Sequence, residues 1–275
     1  MVEKLDHYRG GIMTIHVLIA CSKRKSIEPT EDLVWNIDTT ISSWSDTWIS
    51  ELETIPASQL YNGRSFKQQM ELSKNNEDTR AHILSAGFGL ISNVETKIPS
   101  YEATLKPNQG PSSKEWHLLP NGGINNLNIE ENDLIVSFAP PQYHRALLSD
   151  PDILKIASKL VVGSTSPLAS IARNVMEIHP RAKEVLGVAS TDLNTEFLRI
   201  YLSKGSNGFE NLFLKGEKLP SKIERIPITD DELVILVGEL QNIGTLDGIV
   251  RHLRDNLLIM ASAERISQSR KKGSS

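Results

Sequence analysis

Short apolar runs that stop at polar loops and alternate with helical stretches constrain this chain more than any other feature. Ile15-His16-Val17-Leu18-Ile19-Ala20 is rich in β-branched residues and breaks at Cys21-Ser22-Lys23-Arg24-Lys25. Residues Ala81 to Ala86, Asp133 to Phe138, Lys159 to Gly163 and Glu184 to Ala189 repeat the pattern, so five strands are expected. Between them, Trp44, Trp48, Leu52 and Ile55 predict a helix over 41–54 that Pro56 ends. Leu60, Tyr61, Phe66 and Met70 mark a second helix, and residues 143–148, 168–178 and 195–202 read as three more. Strand alternating with helix predicts an α/β domain over 13–203, a three-layer αβα arrangement with a mainly parallel central sheet. Residues 1–12 are expected as an N-terminal extension. Residues 204–227, broken by Gly205, Gly208, Gly216 and Pro220, are expected as a linker. Residues 228–266 are expected as a C-terminal helical segment with helices over 230–240 and 245–260, and 267–275 as a disordered basic tail.

The composition excludes several classes. The 275 residues hold 39% hydrophobic and 23% charged residues, a globular balance. A single cysteine rules out an intramolecular disulfide and a cysteine-rich zinc site. The seven histidines are scattered without ligand spacing, so no metal and no other cofactor is expected. No apolar run approaches a membrane span, and Met1 to Gly10 lacks a signal-peptide core. A cytoplasmic protein with no membrane partner is the expectation, and the unpaired Cys21 agrees with a reducing compartment. No heptad pattern or other oligomer signal is present. The net charge of −4 argues against a protein that coats nucleic acid indiscriminately, yet leaves room for a local basic patch.

In an open parallel sheet, ligands sit beyond the carboxyl ends of the strands. Ser22, Lys23, Arg24 and Lys25 follow the first strand and are candidates for phosphate binding, the alternative being a solvated basic loop. Cys21 is either a nucleophile activated by those cations or a small residue closing a strand. In Ser85-Ala86-Gly87-Phe88-Gly89-Leu90, two glycines allow close approach of a ligand or simply make a tight turn. It is neither a Walker loop nor a dinucleotide fingerprint. Glu95, and Glu102 beside Tyr101, are candidate carboxylates for activating water or stabilising a developing cation. Tyr143, His144 and Arg145 stand at a strand-to-helix junction, where an aromatic ring, an imidazole and a guanidinium suit a base and its phosphate. Ser164 and Ser166 open another helix and either bind phosphate or cap it.

Four motifs in fixed order carry a resemblance: Cys21-Ser22-Lys23-x-Lys25; Leu60-Tyr61-x-Gly63-x-x-Phe66; Ile83-Leu84-Ser85-Ala86-x-x-Gly89-Leu90; and Ile98-Pro99-x-Tyr101-Glu102-x-x-Leu105. Over residues 14–200 the chain is similar to a bacterial family of unknown-function domains. That family looks related to the YaaA-like peroxide-stress proteins and to the uracil-DNA glycosylase-like superfamily. Some relatives sit beside deazaguanine DNA-modification or phage-defence genes. The resemblance implies a uracil-DNA glycosylase-like fold in which the loop after the first strand supplies the water-activating or cation-stabilising group and a late loop clamps the DNA backbone. Ser166-Pro167-Leu168-x-Ser170 resembles the end of the glycosylase leucine loop. The histidine that precedes that motif is missing, with Ser164 and Thr165 nearby instead. The Asp-Pro water-activating loop is replaced by the Cys-Ser-Lys run. Many members carry Tyr-Asp where Tyr101-Glu102 stands. The substrate is therefore expected to differ from uracil, with the catalytic carboxylate moved to Glu102 or Glu95.

Residues 249–275 hold six cations (Arg251, Arg254, Arg265, Arg270, Lys271, Lys272) against Asp255 and Glu264, a local net of +4, so the remainder sums to −8. Arg251 and Arg254 on a basic helix edge are candidate phosphate contacts. The expected function is a DNA glycosylase-like hydrolase that flips a modified base out of, for example, phage DNA and excises it in antiviral defence. Tyr61, Phe88 or Tyr101 would stack on the base, and Ser85, Tyr143 and His144 would line its pocket. The alternatives are hydration of a deazaguanine nitrile in DNA through Cys21, and a non-catalytic DNA-binding stress or defence protein.

Overall fold

The structure, a computed structural model, describes residues 13–48, 53–220, 226–240 and 245–272. The expected extension over 1–12 lies outside the described residues, as do residues 273–275 of the expected tail. The chain divides into two compact units, residues 1–218 and 219–275.

In the first unit the strands, in chain order, are β1 (Ile15–Ala20), β2 (Thr54–Pro56), β3 (Thr79–Ser85), β4 (Gly89–Ile91), β5 (Lys97–Pro99), β6 (Leu134–Ser137), β7 (Leu160–Gly163) and β8 (Asn174–Met176). The helices are α1 (Ile41–Thr47), α2 (Ala57–Leu60), α3 (Arg64–Lys74), α4 (Pro141–Leu148), α5 (Ala182–Leu186) and α6 (Leu193–Glu217). Six strands form one sheet in the order β4-β3-β1-β6-β7-β8, parallel except for the edge strand β4. Consecutive residues Val17, Leu18 and Ile19 are all buried. Successive strand side chains point to opposite faces, so both faces of β1 are covered. This is the parallel α/β sheet that the alternation of apolar runs implies. From β1 the chain runs outward to β3, then returns to β6 on the other side. The direction reverses between β1 and β6, and a crevice for ligands opens at such a switch point.

Several expected elements differ. Of the helix expected over 41–54, α1 covers Ile41–Thr47, residues 49–52 lie outside the described residues, and Thr54–Pro56 is strand β2, paired with β5. Residues 168–178 are a short 3-10 turn, Pro167–Ser170, followed by β8 beside β7. The apolar run at 184–189 is not a strand. Ala182, Val185 and Leu186 recur at helical spacing, form α5 against α6, and Gly187 ends it in a left-handed conformation (φ 65°). A run this short fits either period, and packing decides between them. Of the expected linker, 204–217 is helix and 221–225 lies outside the described residues: α6 continues to Glu217, with a break at Gly205 (φ 57°, ψ −146°) where a β-carbon would be strained.

The second unit holds α7 (Asp230–Glu239), α8 (Leu246–Arg251), α9 (Ala263–Lys272) and a short parallel pair, β9 (Ile226–Pro227) with β10 (Ile259–Met260). Leu233, Val237, Ile249, Leu253 and Ile266 form its core. The helix expected over 245–260 stops early, in a π turn over His252–Asn256, and Leu258 then takes a positive φ before β10. The expected disordered tail is helical to Lys272, with Ile266 and Ser269 buried. Among the described residues no helix is long and apolar enough to cross a membrane.

Candidate functional site

Cys21 follows β1 directly, Ser85 closes β3, Ser137 closes β6 and Gly163 closes β7. Their side chains or immediate successors form a row of hydrogen-bonded groups along the carboxyl ends of four adjacent strands. At its centre the Cys21 sulfur lies 3.2 Å from the Tyr143 hydroxyl, across the switch point. The Ala86 backbone N–H donates to the same sulfur at 3.3 Å, and the Tyr101 hydroxyl reaches it at 3.8 Å. Beyond it, Tyr61, Ser85 and Tyr101 close a triangle of hydroxyls, with separations of 2.9, 2.7 and 2.8 Å. Burial first, and Cys21 second, push the Tyr61, Tyr101 and Tyr143 phenols well above their ordinary value. All three are therefore O–H donors at neutral pH.

The first strand's loop is pinned rather than open. Ser22 donates to the Arg24 carbonyl and accepts from the Gly63 N–H, and Gly63 is glycine because a β-carbon there would press on Ser22. Lys23 and Arg24 are exposed, and Lys23 meets Glu102 at 3.5 Å. Lys25 departs from its neighbours. A backbone bridge to Tyr61 turns it inward, and its ammonium sits 4.3 Å from the Tyr101 ring centroid. Burial holds that ammonium below the ordinary lysine value, Cys21 and Glu102 oppose the shift, and Lys23 adds to it.

On the other side of Cys21, His144 is buried between two serines, Nε2 2.8 Å from Ser137 Oγ and Nδ1 2.6 Å from Ser166 Oγ. Burial pushes its pKa down to about 4, so the ring is neutral and pairs with one serine as donor and the other as acceptor. Ser166 also caps the following turn through the Leu168 N–H. No histidine immediately precedes the Ser-Pro-Leu run, yet His144, 22 positions earlier, stands beside it in space. His144 and Ser166 line a cleft of about 70 Å³ with Thr165, Asn194, Phe138 and Phe197. A larger hollow of about 270 Å³, lined by Glu131, Asp133, Lys159 and Arg173, lies at the opposite, amino ends of β6 to β8, away from this row.

Tyr61 and Tyr101 are fully buried, their rings packed on Phe66, Trp44 and Trp48, so neither offers a free face to a base. Phe88 lies against Trp48. Glu102 is half exposed and faces Lys23. Glu95 is exposed and accepts from Ser58. The two carboxylates are therefore not brought into the row. Ser164 accepts from the Ile178 N–H. In the second unit Arg251 is exposed, while Arg254 donates to the Ala261 carbonyl. That unit carries eight Lys or Arg and eight Asp or Glu, so the basic stretch at its end is balanced by α7 and its flanks.

One buried network escapes a search for metal or motif spacing. His16 Nδ1 lies 2.8 Å from His82 Nε2, and His16 Nε2 lies 3.1 Å from Asp133 Oδ2. His82 Nδ1 faces the Ser92 carbonyl at 2.8 Å and so carries the hydrogen. Burial, with His16 next, pushes the His82 pKa down to about 4. Burial opposes ionisation of Asp133, but the N–H groups of Glu130 and Thr14, with His16, hold its carboxyl below the usual range. The available signal is a histidine inside each of two apolar strands, since a polar residue there must find a buried partner.

Residues 50–161, which include Tyr61, Ser85, Tyr101 and Tyr143 but not Cys21, match a family of unknown function (DUF6884). No curated protein and no solved structure matches the chain.

Proposed function

We propose that the protein is an enzyme that excises a modified base from DNA, with the reaction at the switch point between β1 and β6. The observation that carries this reading is the continuous row Tyr61, Ser85, Tyr101, Cys21, Tyr143, with Ser137, His144 and Ser166 beyond it. It occupies the place where a parallel sheet receives its ligand. The motif resemblance supplies the substrate class, a base flipped out of the helix. The neutral His144 beside Ser166 adds a polar partner where the glycosylase motif lacks its own histidine. In excision the C1′–N bond breaks, water adds to C1′ and the base leaves with a proton. Tyr143, whose hydroxyl lies 3.2 Å from the sulfur, meets the charge on the leaving base. Lys23 and Arg24, exposed beside the row, contact phosphates. Glu102 and Glu95 take no part. Incubation with DNAs bearing a panel of modified bases tests the reading. Free base and abasic sites are expected, and their absence across the panel refutes it.

Cys21 itself favours a second reading, hydration of a nitrile on a base that stays in the strand. The thiol adds across C≡N to give a thioimidate, and water then releases the amide and restores the thiol. An altered base in intact DNA identifies this reaction. Cys21→Ala abolishes it but leaves excision, which needs no bond to sulfur, largely intact.

A further inference from the structure

The three cations after β1 are not equivalent. Lys23 is 75% exposed and meets a carboxylate. Lys25 is half-buried, and its ammonium lies over the ring of Tyr101, the residue whose hydroxyl points at Cys21. Its backbone is fixed on both sides, since Asn62 donates to the Arg24 carbonyl and Ser26 to the Leu60 carbonyl. A lysine serving as a phosphate clamp projects into solvent, as Lys23 does. A lysine turned into a partly desolvated site beside other nucleophiles is placed for covalent chemistry on a carbonyl.

We infer that Lys25 is an imine-forming residue, whose amine captures the aldehyde of the abasic deoxyribose that excision leaves. The inference rests on the excision reading for its substrate. The neutral amine attacks C1′ of the ring-opened sugar, the C1′=O bond becomes C–OH, and loss of water leaves a C1′=N bond to Nζ. Burial of the ammonium favours the neutral amine that begins this sequence. The product is a covalent link between protein and DNA that water reverses.

The test uses the full chain and DNA in which an abasic site has been made beforehand, with borohydride added to reduce the C=N bond to a stable amine. The wild type is expected to give a covalent protein–DNA adduct that peptide mapping locates at Lys25. Lys25→Arg keeps the cation over Tyr101 but cannot form the imine, and is expected to reduce the adduct to the level seen without borohydride. Lys74→Ala, at an exposed lysine that ends α3, is expected to keep it. No adduct with the wild type, or an undiminished adduct with folded Lys25→Arg, overturns the inference. Because the abasic site is supplied, the two readings separate. Base release without an adduct retains excision and removes the role of Lys25. An adduct without base release from any modified DNA does the reverse.

Discussion

His144→Gln isolates the cost of holding an imidazole neutral in the row. In the unfolded chain a histidine titrates near its ordinary value, about 6.5, whereas burial holds His144 to about 4. Between those values the unfolded state binds a proton that the native state refuses. Stability therefore rises with pH in that window and is lost on acidification. From about pH 7.5 to about pH 5 the loss is about 2 kcal/mol for one such histidine. His82, also held to about 4, adds a similar amount. The wild type is expected to lose about 4 kcal/mol over that interval from the two rings together, and His144→Gln about 2. The glutamine also weakens the links to Ser137 and Ser166, but that penalty is present at both pH values and cancels. All four tryptophans, Trp35, Trp44, Trp48 and Trp116, lie in the first unit. Urea unfolding followed by tryptophan fluorescence thus reports on the unit that holds His144. Equal losses for wild type and variant would refute the claim that burial keeps His144 neutral.

Three further outcomes follow from the same geometry. Asp133→Asn places an amide against His16 and removes an acceptor from the Thr14 or Glu130 N–H; a loss of about 2–4 kcal/mol in urea unfolding is expected. Gly89 has φ 90°, and a β-carbon there would collide with the Gly122 carbonyl, so Gly89→Ala should cost about 2 kcal/mol or more by the same measurement. Glu102→Ala breaks only an exposed pair with Lys23; the stability change should stay below about 1 kcal/mol. Base release by Glu102→Ala should match the wild type, and its loss would return the carboxylate to the reaction.

Much of the fold is legible from local pattern. The runs at Ile15, Ala81, Leu134 and Leu160 are strands because largely apolar segments of this length, rich in β-branched residues, suit a sheet covered on both faces. The helix expected over 168–178 and the strand expected over 184–189 fail because a few apolar residues fit either period, and only contact with β7 or α6 selects one. Residues 204–217 carry three glycines, which suggests a linker, yet Phe209 and Leu212 are buried and hold the segment as helix. The site was legible in its members and not in its partnerships. Cys21, Tyr101, Tyr143, His144 and Ser166 all stand out as polar or reactive groups at strand ends. Which of them touch depends on strand order.

The residues alone determine an α/β chain, a reactive loop after the first strand and the polar groups that follow the later strands, because each is a short-range matter of periodicity and breakers. Only the tertiary structure decides that Cys21 meets Tyr143, 122 positions away, and that His16 meets Asp133, 117 away. It also decides that Lys25 turns inward while Lys23 turns out, and that Glu102 and Glu95 are left at the surface. The physical reason is that β1 lies between β3 and β6. That order comes from the burial of whole strands, and no local window of sequence contains it.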